Sequence, residues 1–111
     1  MPFFTTEKKS GATIIRFSFN ELSLQDREVL KNEVFALLKE KGCFILNLSK
    51  IGFMSSMMAA LIVAVVKQAA AQKSDVRLCE LTDNAKTVFK ITCLDQIFKI
   101  YGTEEDALKA A

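Results

Sequence analysis

Cys43-Phe44-Ile45-Leu46-Asn47-Leu48 is a nearly continuous apolar run of strand length. It lacks the alternation of a strand with one wet face, so it predicts a central strand covered on both sides. The residues that follow supply the covering layers. Met54 to Gln72 is rich in alanine and too long for a strand, which predicts a helix starting near Ser56. Val76-Arg77-Leu78-Cys79-Glu80-Leu81 alternates and predicts another strand. Asp83 to Ile91 predicts a short helix with Thr82 or Asp83 as its cap. Ile97 to Tyr101 predicts a last strand. Thr103, with Asp106 three positions on, opens a terminal helix through Ala110 in a variant of the capping box.

Upstream of the central run, residues 1–18 predict two short strands broken near Lys8-Lys9-Ser10-Gly11, the second being Ala12 to Phe17. Asn20-Glu21-Leu22-Ser23 has turn chemistry, and Ser23 is placed to cap a helix with Asp26 three positions on. From Leu24, residues Val29, Leu30, Val34, Leu37 and Leu38 recur at helical spacing, and Gly42 closes the helix after Lys39 and Lys41. The order is β-β-α-β-α-β-α-β-α. It predicts an α/β fold with a four- to five-stranded mixed, mostly parallel sheet packed against about four helices. At 111 residues one domain, 1–111, is expected.

Several kinds of chemistry are excluded early. Histidine is absent, which removes His-based acid–base catalysis, the Ser–His and Cys–His pairs and the commonest metal ligand. Cys43, Cys79 and Cys93 form no C-x-x-C pair, so they read as free thiols, most simply as small buried hydrophobes, and no metal or cofactor is expected. A net charge of +2 carries no basic stripe for nucleic acid. Met57 to Val66, the longest greasy run, is about half the length that spans a bilayer. With no signal-peptide core at the N-terminus, the expectation is a cytoplasmic protein without membrane insertion.

Leu46-Asn47-Leu48-Ser49-Lys50-Ile51-Gly52-Phe53-Met54-Ser55-Ser56 resembles the central signature of the STAS domain, specifically that of the bacterial anti-sigma factor antagonists. The resemblance continues through Val76 to Thr82 and Val88 to Phe98 and closes on Glu104-Glu105-Asp106-Ala107-Leu108, covering about residues 12 to 109. It implies the STAS fold and a non-enzymatic role. It also implies a partner that is both anti-sigma factor and kinase, which phosphorylates the signature serine at the start of a helix. That serine falls on Ser56. Ser55 stands where the family has aspartate, Met57 where it has a second hydroxyl or small residue, and Met58 and Ala60 where it has glycines. The family's G-E-L-D turn corresponds to Asn20-Glu21-Leu22-Ser23, with Ser23 in place of the aspartate.

Physically, a serine at a helix start can accept an orphan backbone N–H as a cap. The same N–H groups and the positive end of the helix dipole favour a phosphate there. Both readings stand for Ser55 and Ser56, with Ser56 the expected phosphorylation site and Ser55 the alternative. The helix beyond them has almost no polar face. If Ala59, Ile62, Val63, Val66 and Ala70 face the sheet, then Met57, Met58, Leu61 and Val65 point outward and, with Met54, form a contact surface; otherwise they fill the core. On the outward reading, Leu61→Asp and Val65→Asp would abolish association without unfolding the chain. Asp83 and Asn84 fall at the same end of a parallel sheet as Ser56, either on that surface or as a helix cap.

The expected partner-binding set is therefore Asn20, Glu21, Ser23, Met54, Ser55, Ser56, Met57, Met58, Leu61, Val65, Asp83 and Asn84. The expected function is that of an anti-sigma factor antagonist-like protein, which binds an anti-sigma factor or serine kinase and is switched by phosphorylation. The alternative is a non-phosphorylated STAS scaffold in a signalling or transport-associated complex. Homodimerisation is left open.

Overall fold

A computed structural model describes residues 3–19 and 23–110. Its strands are β1 (Phe4–Lys9), β2 (Ala12–Phe17), β3 (Cys43–Asn47), β4 (Asp75–Cys79) and β5 (Lys99–Tyr101). Its α-helices are α1 (Leu24–Leu38), α2 (Ser56–Ala71), α3 (Asp83–Ile91) and α4 (Glu104–Lys109), with a 3₁₀ turn at Leu94–Gln96. The five strands lie in the order β1-β2-β3-β4-β5. β1 is antiparallel to β2, and every other neighbour is parallel. The expected architecture and element order are what the chain adopts.

The period-2 geometry of the strands sorts their side chains onto two different faces. Ile15, Phe17, Phe44, Leu46, Val76 and Leu78 point into the main core, where α1 contributes Leu30, Val34 and Leu38, and α3 contributes Ala85 and Phe89. Ala12, Ile14, Ile45 and Cys79 point the other way, into a smaller cluster closed by Ala107 of α4. β3 is thus covered on both faces, which is why its sequence shows no alternation. Between β1 and β2, Ser10 and Gly11 both take positive φ (53° and 82°), and this lets the hairpin turn in two residues.

The outward face expected for α2 is corrected. Met58, Ala59, Leu61, Ile62, Val65 and Ala69 are all buried, Leu61 and Val65 to 2% exposure, while Ala70 is exposed. Met54, at the helix entry, is also fully enclosed. The buried positions follow the 3.6-residue period, but a helix that is apolar all round has no polar stripe to mark which phase of that period faces inward. Only Met57 of the expected stripe reaches solvent, at 37% exposure.

Smaller differences follow from local geometry. α1 ends at Leu38, and Lys41 and Gly42 lie beyond it with positive φ (55° and 126°). Val29 of α1 is exposed, not buried. Ile97 closes the 3₁₀ turn instead of starting β5. Of the three thiols only Cys79 is buried; Cys43 is partly covered, and Cys93 is exposed in a left-handed conformation just after α3. Among the described residues, no helix is long and apolar enough to cross a membrane.

The corrected phase of α2 has a direct consequence. Leu61→Ala should cost about 2–5 kcal/mol, and Leu61→Asp or Val65→Asp should unfold the chain by burying an unpaired carboxylate. Ala60→Asp, on the exposed side of the same helix, should cost less than about 1 kcal/mol. Urea melts followed by circular dichroism separate these outcomes.

Candidate functional site

Because β2 to β5 run parallel, the helix that follows each of them starts at the same end of the sheet, beyond the strands' carboxyl termini. The first N–H groups of each helix lack intrahelical partners. In all four helices a hydroxyl residue supplies one. Ser23 Oγ accepts from the Asp26 N–H at 3.0 Å, and Ser55 Oγ from the Met58 N–H at 3.1 Å. Thr82 Oγ1 accepts from Ala85 at 3.3 Å, and Thr103 Oγ1 from Asp106 at 3.1 Å. Ser23 and Thr103 cap as expected, and of the two residues offered for α3 it is Thr82 that caps.

The serine pair divides its work. Ser55 has an extended backbone (φ −74°, ψ 164°) and is the cap, the job an aspartate could do equally well. Ser56 is the first helical residue, and its exposed hydroxyl is not used by the cap. The first turns of α1, α3 and α4 contain Asp26, Asp83 and Glu104-Glu105-Asp106, whereas the first turn of α2 contains no carboxylate. Its own first turn therefore supplies no counter-charge to the positive end of its dipole.

The loop from Leu48 to Ser55 sets where Ser56 sits. Asn47 Oδ1 accepts the Ser49 N–H at 2.9 Å. The Leu48 N–H donates to the Cys79 carbonyl at 3.1 Å. Thr82 Oγ1 donates to the Ile51 carbonyl at 3.1 Å, and Asn84 Oδ1 accepts the Met54 N–H at 2.7 Å. Asn84 is thus a brace between two loops and Asp83 an exposed first-turn acid. Phe53, 72% exposed, stands three residues before Ser56 and was not among the residues expected from sequence. Its one available signal is an aromatic residue after Gly52, in a loop otherwise free to be polar. Met57 and Ala60, one and four residues after Ser56, are exposed as well, so these three are the exposed apolar residues nearest Ser56 in sequence. Met54, Met58, Leu61 and Val65 are not among them. Ser23 is exposed at the start of α1, and Asn20 and Glu21 lie outside the described residues.

Behind the loop, charges are paired across the sheet. Arg16 donates from Nε and Nη2 to the two carboxylate oxygens of Glu104 at 2.8 and 2.9 Å. Its Nη1 lies 2.8 Å from Glu7. The Arg16 hydrogen bonds hold the Glu104 carboxyl below its usual range against the opposing effect of burial, with Asn47 and Lys9 assisting. Burial, then the nearby Glu80 and Glu104 charges, push the Cys79 thiol up to about 12, and burial also raises Cys43. Neither offers a ready thiolate near neutral pH. No group of three Cys, Asp or Glu among the described residues is placed to hold a metal ion.

Comparison with known proteins decides the family. The STAS domain family model matches residues 4–107. The chain belongs to the STAS domain family. STAS domains are regulatory, not catalytic. A STAS-domain anti-sigma-factor antagonist from Planctomyces limnophilus superposes with a TM-score of 0.84 at 20% identity, covering 96% of each chain. A putative anti-sigma factor antagonist from Thermotoga maritima superposes with a TM-score of 0.84 at 25% identity, covering 96% of this chain and 92% of that one. The Bacillus cell fate determinant SpoIIAA, in its phosphorylated form, superposes with a TM-score of 0.70 at 21% identity, covering 96% of this chain and 97% of that one.

Because Glu104 binds its proton less readily in the folded STAS domain than in the unfolded chain, it contributes stability that is complete above the unfolded glutamate value. That contribution is lost as the pH falls through the lower, folded value. Urea midpoints measured from neutral to acid pH should fall more steeply for the wild type than for Glu104→Gln.

Proposed function

We propose that this STAS domain is an anti-sigma factor antagonist-like regulator that binds a partner anti-sigma factor with serine-kinase activity through the surface around Ser56. Phosphorylation of Ser56 by that partner ends the interaction. The observation that carries the reading is the division between the two serines: Ser55 caps α2 and leaves the Ser56 hydroxyl exposed at a helix start without a carboxylate. A phosphoryl group there would bring a charge of about −1.5 to −2 to the positive end of the α2 dipole, whose first turn has no carboxylate of its own. The same charge between Phe53 and Met57 would have to be desolvated by any apolar surface that packs on them, so adding it would weaken docking. The protein needs no catalytic group of its own for this, in keeping with its lack of histidine. That SpoIIAA, of similar fold, has been determined in a phosphorylated form supports the same reading.

Ser23 and Asp83, exposed at the starts of α1 and α3, belong to the proposed docking surface, and Asn84 braces the loop before α2 through its bond to the Met54 N–H. The buried Met54, Met58, Leu61 and Val65 serve it only by fixing α2 against the sheet. Replacement of the family's glycines therefore has unequal effects. Met58 fills the core and leaves the surface unchanged, whereas Ala60 adds one methyl group to it.

Incubation with ATP and anti-sigma serine kinases, with phosphopeptide mapping, tests the switch. One phosphate on Ser56, lost in Ser56→Ala, with at least tenfold weaker kinase binding by the phosphorylated chain, is expected; tenfold corresponds to about 1.4 kcal/mol. A stable complex that takes no phosphate and is unaffected by Ser56→Ala would identify a scaffold instead.

A further inference from the structure

The loop that presents Ser56 is pinned by Asn47, and Asn47 is itself held by the far side of the sheet. This side chain is only 6% exposed. Its Oδ1 accepts from Ser49, while its Nδ2 donates to Glu104 Oε2 at 2.6 Å and to Glu80 Oε2 at 3.2 Å. Both amide hydrogens and the carbonyl are thereby used. Glu80 reaches Asn47 from a left-handed backbone (φ 54°), a conformation that costs a non-glycine residue roughly 1–2 kcal/mol. Glu104, the first residue of α4, is in turn fixed in a two-pronged pair with Arg16 of β2.

The rest of α4 has little with which to hold itself in place. It is six residues long, and Ala107 is its one fully buried side chain. Near its other end, Arg77 Nη1 donates to the Ala107 carbonyl, and Arg77 is itself paired with Asp75 at 3.0 Å. A helix of this length has no stability of its own, so undocking and unwinding are one event. Loss of the Glu104 contact in that event removes one of the two acceptors of Asn47.

We infer that Asn47 is a positioning residue for the Ser56 loop and that docking of α4 through Glu104 holds it in place, so that α4 and the loop open together as one local unit. The consequence for Ser56 rests on the phosphorylation reading above; the coupling between α4 and the loop does not.

Native-state hydrogen exchange on the full chain tests the coupling without any kinase. Two amides report the two ends: Ala107, whose N–H donates to Thr103, and Ser49, whose N–H donates to Asn47. In Glu104→Gln, and independently in Arg16→Met, both should exchange about tenfold faster, by a common factor, as expected for loss of a charged hydrogen bond. The β3 amide of Leu46 should not change. Glu105→Gln removes an acid from the same turn without touching the clamp, and should alter neither reporter. Acceleration at Ala107 with Ser49 unchanged would overturn the inference, as would equal acceleration at Leu46, which signals general destabilisation. With the coupling established, phosphate transfer to Ser56 should slow in Glu104→Gln. A wild-type chain that accepts no phosphate would refute the phosphorylation reading while leaving the coupling intact.

Discussion

Four helices begin at one end of this sheet, and each brings backbone N–H groups that nothing within the helix can satisfy. Parallel strand order makes this unavoidable, since β2 to β5 all deliver the chain to the same end of the sheet, where the helix after each strand begins. Four hydroxyl caps answer the demand. The end of the molecule that must be capped is consequently also the end that can receive negative charge. At three of the helices the chain already supplies that charge as a carboxylate. α2 is the exception, and Ser56 stands at its start.

The two faces of the sheet do different work around that point. On one face, α1 and the large apolar core hold α2, with Met58, Leu61, Ile62 and Val65 packed in the same cluster as β-strand and α1 side chains. The other face carries a thin cover, α4, held chiefly by Arg16, Asn47 and Arg77. Asn47 and Arg77 are buried polar groups that would be costly if unpaired, and each finds a partner on another element. The network therefore ties strands, loop and terminal helix together at the base of the candidate site.

Much of this could be read from the residues. The unbroken apolar run at Cys43–Leu48 identified a strand covered on both sides, and the alternation of elements after it required a parallel sheet. The hydroxyls ahead of each helix marked its start to within a residue. The phase of α2 was not legible: with no charged residue before Lys67, nothing in the sequence distinguishes its inner from its outer side. Nor was the role of Phe53, because one aromatic residue in a loop reads the same whether it folds inward or stands in solvent. The Arg16–Glu104 pair joins residues 88 positions apart, a distance over which sequence spacing carries no signal.

At the start of α2, Ser55 does the structural work and the Ser56 hydroxyl is not used by the cap. Equilibrium denaturation of the two alanine variants measures this directly. Ser55→Ala should lose about 1 kcal/mol, the usual cost of removing a cap, while Ser56→Ala should stay within about 0.5 kcal/mol of the wild type. A loss at Ser56 equal to or larger than that at Ser55 would mean that its hydroxyl is engaged in the fold, and the account of a free acceptor at this site would be wrong.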